Sequence, residues 1–126
     1  MTEYISYDEF KNFIMEYVPR CSNEKNEIQI NHVLLIFQGK WNNHVLFQLC
    51  RYEKVRFGGL KKSMPDITST MLASTLRELE SYGLINRMQF NKIPPHVEYS
   101  LTEKGKDLLP IFYEMYKWGL KYSNEQ

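Results

Sequence analysis

The chain has 126 residues, of which 43% are hydrophobic and 25% charged, and its net charge at pH 7 is +1. This length and composition predict one folded domain whose core needs no metal, and two cysteines are too few for a disulfide framework. No apolar run approaches the roughly 20 residues of a membrane-spanning helix and the N-terminus lacks a secretory signal, so we expect a cytoplasmic protein.

The N-terminal segment, residues 1–27, is predicted to form a helix followed by a polar connection. Ser6 and Glu9 have the spacing of a capping box, apolar side chains recur at helical intervals behind them, and Pro19 ends the periodicity. The segment carries three positive and six negative side chains, which is a net charge of −3.

A second apolar stretch covers residues 28–37 and is predicted to end at Gly39. We expect the next helix to begin at about Trp41, because the apolar side chains after it recur at helical spacing: Val45, Leu46, Leu49 and Cys50. Free cysteines at such positions are usually core residues, so Cys50 is predicted to be buried.

Residues 51–65 form a basic segment with five lysines or arginines and one glutamate, a net charge of +4. Such a local concentration of positive charge can bind a polyanion, although an ordinary solvated surface also explains it. We predict a short helix from Arg56 to Met64, which places Arg56, Lys61 and Lys62 where a nucleic-acid backbone would pass, and a turn at residues 65–67.

The segment after this turn has the features of a DNA-recognition helix. Thr68 is at its N-cap position and Gly83 at its end, while Leu72, Leu76 and Leu79 predict one buried stripe. The opposite face carries short or polar side chains, which can enter a major groove and bond base edges: Ser69, Thr70, Ala73, Ser74 and Arg77. Solvent-exposed helix faces more commonly carry Glu, Lys and Gln, which are better helix formers.

Two alternating segments, Ile85–Phe90 and Val97–Leu101, predict a β-hairpin. The connection between them contains a double proline, which we expect to keep it extended. Lys92 and His96 are predicted at the hairpin tip, within reach of an adjacent minor groove or phosphate.

Together these elements predict a mainly α protein with a small β-hairpin, organised as a winged helix-turn-helix. We expect a single DNA-binding domain over residues 1–126, with the winged-helix core at 28–101 and a C-terminal helix at 102–126. Thr102 caps that helix, whose apolar side chains are Leu108, Phe112, Met115 and Tyr122, with Ile111 and Trp118 beside them. The predicted DNA contacts are Arg56, Lys61, Lys62, Thr68, Ser69, Thr70, Ser74, Arg77, Lys92 and His96.

Several short motifs occur in a fixed order: Gly39-Lys40-Trp41, Arg56-Phe57 with Leu60, Pro65-x-Ile67, Gly83-Leu84, Pro94-Pro95-x-Val97-Glu-Tyr-Ser-Leu-Thr102, Gly105 and Trp118. In these motifs, residues 28–122 resemble the HxlR family of bacterial winged-helix regulators, which are MarR-like. The resemblance implies a homodimer, held by the N- and C-terminal helices, that binds double-stranded DNA at a pseudo-palindromic operator and regulates nearby genes. The apolar faces of the first and last helices agree, because pairing two copies would cover them.

The chain departs from this family at one cysteine position. Many members carry a cysteine shortly before the Gly-Lys-Trp element, and in some of them it senses oxidants or electrophiles. Here that position is Ile28, and Cys21 lies seven residues earlier, directly after Arg20. A reactive cysteine needs access and a lowered pKa, so Cys21 is a candidate redox sensor, with an incidental thiol as the alternative.

The sequence predicts neither an enzyme nor a metal or cofactor site. Its histidines and cysteines lack metal-ligand spacing, and Gly58-Gly59 lacks the lysine and serine of a phosphate loop. The aromatic content fits a dimer core, while a small-molecule effector in the dimer cleft stays open. The alternative to a DNA-binding regulator is a winged-helix protein-interaction module that has lost DNA binding and uses the acidic N-terminal segment as its contact surface.

Overall fold

The computed structural model describes residues 5–16 and 33–123, and the chain falls into two compact units, residues 1–33 and 34–126. In the first unit, helix α1 runs over Tyr7–Glu16. The Glu9 amide donates a hydrogen bond to Ser6 Oγ at 3.1 Å, which confirms Ser6 as the cap of this helix. The predictions for Cys21 and Ile28 lie outside the described residues.

The chain from residue 33 onward contains the predicted order of helix, short helix, turn, helix and hairpin. It is helical at residues 33–38 (α2), and Gly39 follows this helix as predicted. The subsequent elements are α3 (Asn42–Cys50), β1 (Val55–Arg56), α4 (Phe57–Ser63), α5 (Ser69–Ser81), β2 (Ile85–Phe90), β3 (His96–Leu101), α6 (Glu103–Lys106) and α7 (Leu109–Tyr122).

The sheet has three antiparallel strands in the order β1-β3-β2, one more than the predicted hairpin. Strand β1 pairs Val55 with Tyr99, and β2 pairs Ile85 with Leu101. A strand of two residues is too short to show alternation, which is why the sequence did not indicate it. The prediction that Arg56 lies on the short helix is therefore wrong, because Arg56 has extended backbone angles and pairs within the sheet.

The hydrophobic core lies between helices α3–α5 and one face of the sheet. Leu72, Leu76 and Leu79 are at most 2% exposed, so the predicted leucine stripe is confirmed. They belong to one cluster with buried side chains of the neighbouring elements, among them Val45, Leu46, Leu49, Leu60, Ile67, Val55, Ile85, Tyr99 and Leu101. Cys50, predicted to be buried, is only partly buried and packs against the edge of this cluster.

The C-terminal region forms two helices rather than the single helix predicted. Thr102 caps only the short α6, accepting a hydrogen bond from the Gly105 amide at 3.0 Å, and α7 begins after a turn with Pro110 in its first turn. Of the predicted apolar face, Phe112 is buried, whereas Ile111, Met115 and Trp118 are exposed. Among the described residues, no helix has the length and hydropathy that a bilayer crossing requires.

Candidate nucleic-acid interface

Both ends of the predicted recognition helix α5 are fixed by local contacts. Thr68 Oγ1 accepts a hydrogen bond from the Met71 amide at 3.1 Å, which confirms the predicted cap. Gly83 closes the other end at a φ of +75°, a left-handed conformation that glycine adopts without strain. Because Thr68 uses its hydroxyl in the cap, the first amides of the helix, those of Ser69 and Thr70, have no acceptor among the described residues.

The face of α5 opposite the leucine stripe is exposed, as predicted. Four of its polar side chains make no hydrogen bond or ion pair within residues 33–123: Ser69, Thr70, Ser74 and Arg77. The buried Thr75 differs, because its hydroxyl donates to the Met71 carbonyl of its own helix at 2.8 Å. The outward hydroxyls and the Arg77 guanidinium are therefore available to an external ligand such as a base edge.

The two lysines of α4 differ in their environment, although the sequence placed them together. Lys61 is half-buried, and its Nζ donates to the Pro65 carbonyl at 3.4 Å, so it contributes to the turn between α4 and α5. Lys62 is exposed and has no partner in the described part of the chain. Lys62 is therefore the freer cation of the pair.

Arg56 lies on the opposite side of the sheet from the core. Val55 is buried, and successive residues of a strand point to opposite faces, so Arg56 points away from α5. Its strand register places it opposite Glu98. The structure therefore places Arg56 on β1 and not on α4, the helix that carries Lys61 and Lys62.

The wing consists of β2, β3 and the loop between them, and Lys92 and His96 have different environments within it. Lys92 is exposed in the loop, which bends at residues 92–94 and contains a cis Ile93–Pro94 bond instead of the extended run predicted. His96 is not at the tip but begins β3, where its Nε2 lies 3.0 Å from Glu98 Oε2. Its ring also stacks on Phe90 with 4.8 Å between centroids, so His96 is engaged within the wing.

Arg87 of β2 lies beside α5 and is a candidate DNA contact that the sequence analysis missed. Strand β2 places Arg87 opposite Tyr99 of β3, on the sheet face that carries the core. A groove of about 390 Å³ lies between this face and α5, and both Arg77 and Arg87 line it, together with Glu80. The available signal was the spacing Ile85-x-Arg87, which puts an arginine on the same side of the strand as a buried isoleucine.

Residues 36–126 match the model of the HxlR-like helix-turn-helix family. The chain belongs to this family. An uncharacterised HTH-type transcriptional regulator of Methanothermobacter thermautotrophicus is 45% identical to it over 100 residues, which cover 79% of this chain and 72% of the relative. The resemblance to HxlR regulators that the sequence motifs indicated is therefore confirmed.

Solved structures share the fold of this HxlR-like chain. The YtcD protein of Bacillus subtilis, described as an HTH-type transcriptional regulator, has a TM-score of 0.71 and 41% identity, covering 75% of this chain and 96% of its own. The redox regulator HypR in its reduced form has a TM-score of 0.67 and 37% identity, covering 75% and 93%. These similarities confirm the winged helix-turn-helix fold and the prediction of a transcriptional regulator. All three relatives are described as regulators, which does not favour the alternative of an interaction module.

Proposed function

We propose that this HxlR-like chain binds double-stranded DNA as a homodimer and recognises a pseudo-palindromic operator. The outward face of α5 supports this most directly, because Ser69, Ser74 and Arg77 are exposed and free of partners in the described chain. The leucine stripe on the other face is fully buried and holds the helix in a fixed orientation. A rigid helix with short polar side chains fits the major groove of a duplex.

Each part of the surface then has a separate role. Arg77 donates to base edges, for which a guanidinium offers the bidentate geometry that guanine accepts. Lys62 on α4 and Lys92 on the wing contact phosphates on either side of the recognition helix, where cations add affinity without base preference. Specificity is therefore assigned to α5 and sequence-independent affinity to its flanks.

A homodimer is supported by the apolar surface of α7. Seven side chains of this helix are 44–68% exposed: Leu109, Ile111, Tyr113, Met115, Tyr116, Trp118 and Leu120. Soluble monomers rarely expose this much apolar surface on one helix, and a second copy of the chain would cover part of it. A two-fold dimer presents two copies of α5, which suits two half-sites about one helical turn apart.

Selection of bound fragments from random duplex DNA tests this proposal. We expect an enriched inverted repeat, with affinity that falls steeply between about 50 and 200 mM salt because bound lysines and arginines release condensed counterions. The opposite result is no affinity for any duplex at low salt, together with one stoichiometric protein partner in a pull-down. That result would favour the interaction module instead.

We propose Cys21 as the thiol through which this regulator senses oxidants or electrophiles. Its thiol follows Arg20 in a polar segment, and a neighbouring cation favours the reactive thiolate. The similar protein HypR is described as a redox regulator. Cys50 is a poorer candidate, because burial raises the pKa of its thiol and keeps it protonated.

N-ethylmaleimide, an electrophile that adds to a single thiolate, distinguishes the two cysteines. We expect the treated wild type and the treated Cys50→Ser variant to lose DNA binding, whereas the treated Cys21→Ser variant keeps it. Loss of binding by the treated Cys21→Ser variant would assign the response to Cys50.

A further inference from the structure

We infer that Arg87 is a DNA-phosphate contact of this regulator, acting from strand β2 beside the recognition helix. The inference rests on the proposed DNA binding and adds a residue on the sheet to it. The site is the arginine groove, defined as the groove between α5 and the sheet that Arg77, Arg87, Glu80, Phe57 and Tyr99 line.

Strand register places Arg87 on the same side as α5. Arg87 pairs with Tyr99, which also pairs with Val55, and both of these partners are buried in the core. Directly opposite residues of antiparallel strands point to the same face, so Arg87 shares this face but is exposed at its margin. Its neighbour Asn86 points to the other face and lines a different groove.

Arg77 connects the arginine groove to the proposed DNA surface. It lies on the outward face of α5 and also lines the groove, so the groove borders the surface that is proposed to meet the duplex. Arg87, which lines the same groove, is therefore placed to contact a backbone phosphate of a duplex bound beside α5. Arg56, by contrast, lies on the other face of the sheet.

The charges of the arginine groove suit an anion. Two guanidinium groups face one carboxylate, that of Glu80, and neither arginine has an ion pair or hydrogen bond among the described residues. Two arginines and one glutamate leave the groove with a net positive charge, which an incoming anion neutralises, and a guanidinium can bind a phosphate with two parallel hydrogen bonds. Glu80 partly offsets this attraction.

The test measures how affinity for a mixed-sequence duplex of about 30 base pairs, long enough for two half-sites, depends on salt. We compare the wild type with Arg87→Gln, Arg87→Lys and Glu80→Gln. A fourth variant combines Asn86→Arg with Arg87→Asn, which keeps the net charge and moves the arginine to the other sheet face. Thermal unfolding of each variant checks that it is folded.

Because each dimer loses two contacts, Arg87→Gln should lower the slope of log K against log salt by about two and weaken binding roughly 30-fold at 0.15 M salt. Arg87→Lys should keep most of the slope, and Glu80→Gln should strengthen binding. The exchanged variant should behave like Arg87→Gln although its net charge is that of the wild type.

A wild-type slope in Arg87→Gln, or in the exchanged variant, would overturn the inference while DNA binding itself stands. A wild-type protein that binds no duplex would instead remove the proposed function and this inference together. The two failures are therefore distinguishable in one experiment.

Discussion

The side-chain amide of Asn42 donates a hydrogen bond to the backbone carbonyl of Ile36 at 2.9 Å, across the turn that joins α2 to α3. Asn42 is 1% exposed, and Gly39 lies inside this turn. A Cβ atom added to Gly39 would lie 2.7 Å from Asn42 Nδ2, so the glycine is required by close approach rather than by its backbone angles. This contact fixes the entry of the chain into the winged-helix core.

We expect Asn42→Ala to lower the free energy of unfolding by about 1–3 kcal/mol, because it leaves the buried Ile36 carbonyl without a donor. Gly39→Ala should also destabilise the fold, but less in the Asn42→Ala background, where the obstructing side chain is gone. Urea unfolding of the two single variants and the double variant measures this coupling. Gly58→Ala is the matched control, since its added methyl group meets no atom within 4 Å. Additive effects of the Gly39 and Asn42 changes would contradict the contact.

The two lysines of α4 should differ in their effect on DNA binding. Lys62→Ala should weaken binding to all sequences alike and reduce the salt slope by about two per dimer, since a phosphate contact is lost in each subunit. Lys61→Ala should have a smaller effect, because its ammonium already donates to the Pro65 carbonyl. Lys106→Ala, on α6, is the control. Unchanged affinity after the double change of Lys61 and Lys62 would show that the proposed phosphate surface is wrong.

Trp118→Glu should dissociate the proposed dimer. Trp118 is 68% exposed on α7, and truncating a buried interface tryptophan typically weakens association by about 2 kcal/mol or more, which is about 30-fold in the dissociation constant. A buried glutamate adds its desolvation to that loss. Sedimentation equilibrium measures the effect, with Lys106→Ala as a control outside α7 that changes the net charge by the same amount. A dimer of unchanged affinity in Trp118→Glu would place the subunit interface elsewhere.

Cys50 should react slowly with thiol reagents in the folded protein. Burial raises the pKa of its thiol, so the thiolate fraction near pH 8 is smaller in the folded than in the unfolded chain. We expect iodoacetamide to modify Cys50 of the Cys21→Ser variant faster in urea than in buffer, and faster as the pH rises. The same raised pKa implies that the free energy of unfolding falls as the pH rises above the pKa of this thiol in the unfolded chain. The reason is that the native state retains the proton there while the unfolded chain loses it. Equal alkylation rates in the folded and unfolded protein would contradict this.

The features that the sequence predicted correctly depend on local rules. Leu72, Leu76 and Leu79 follow helical spacing, and the Thr68 cap and Gly83 end are set within one turn of the helix. A local signal also marks the break before α7, because proline favours the first turn of a helix and Pro110 lies there. The apolar periodicity runs across this break, however, and therefore predicts one long helix.

Other features depend on pairing between distant segments. The position of Arg87 beside α5 follows from its register with Tyr99, and the position of Arg56 follows from a strand of two residues. The contact between His96 and Glu98 is local instead, and the sequence analysis missed it because β3 begins at His96, one residue before the predicted strand. The spacing Ile85-x-Arg87 indicates the sheet face of Arg87, but a single sequence gives no register, so the residues that lie opposite Arg87 and Arg56 could not be assigned before the sheet was known.

The proposed role of the outward face of α5 is to contact base edges, and the variant Arg77→Ala tests this role. The measurement is the ratio of affinities for the selected operator and for a mixed-sequence duplex, in this variant and in the wild type. Since one bidentate base contact discriminates by about 1–3 kcal/mol, we predict that the ratio falls at least about ten-fold. Arg87→Gln removes a proposed phosphate contact and should leave the ratio unchanged. An unaltered ratio in Arg77→Ala would show that Arg77 makes no base-specific contact.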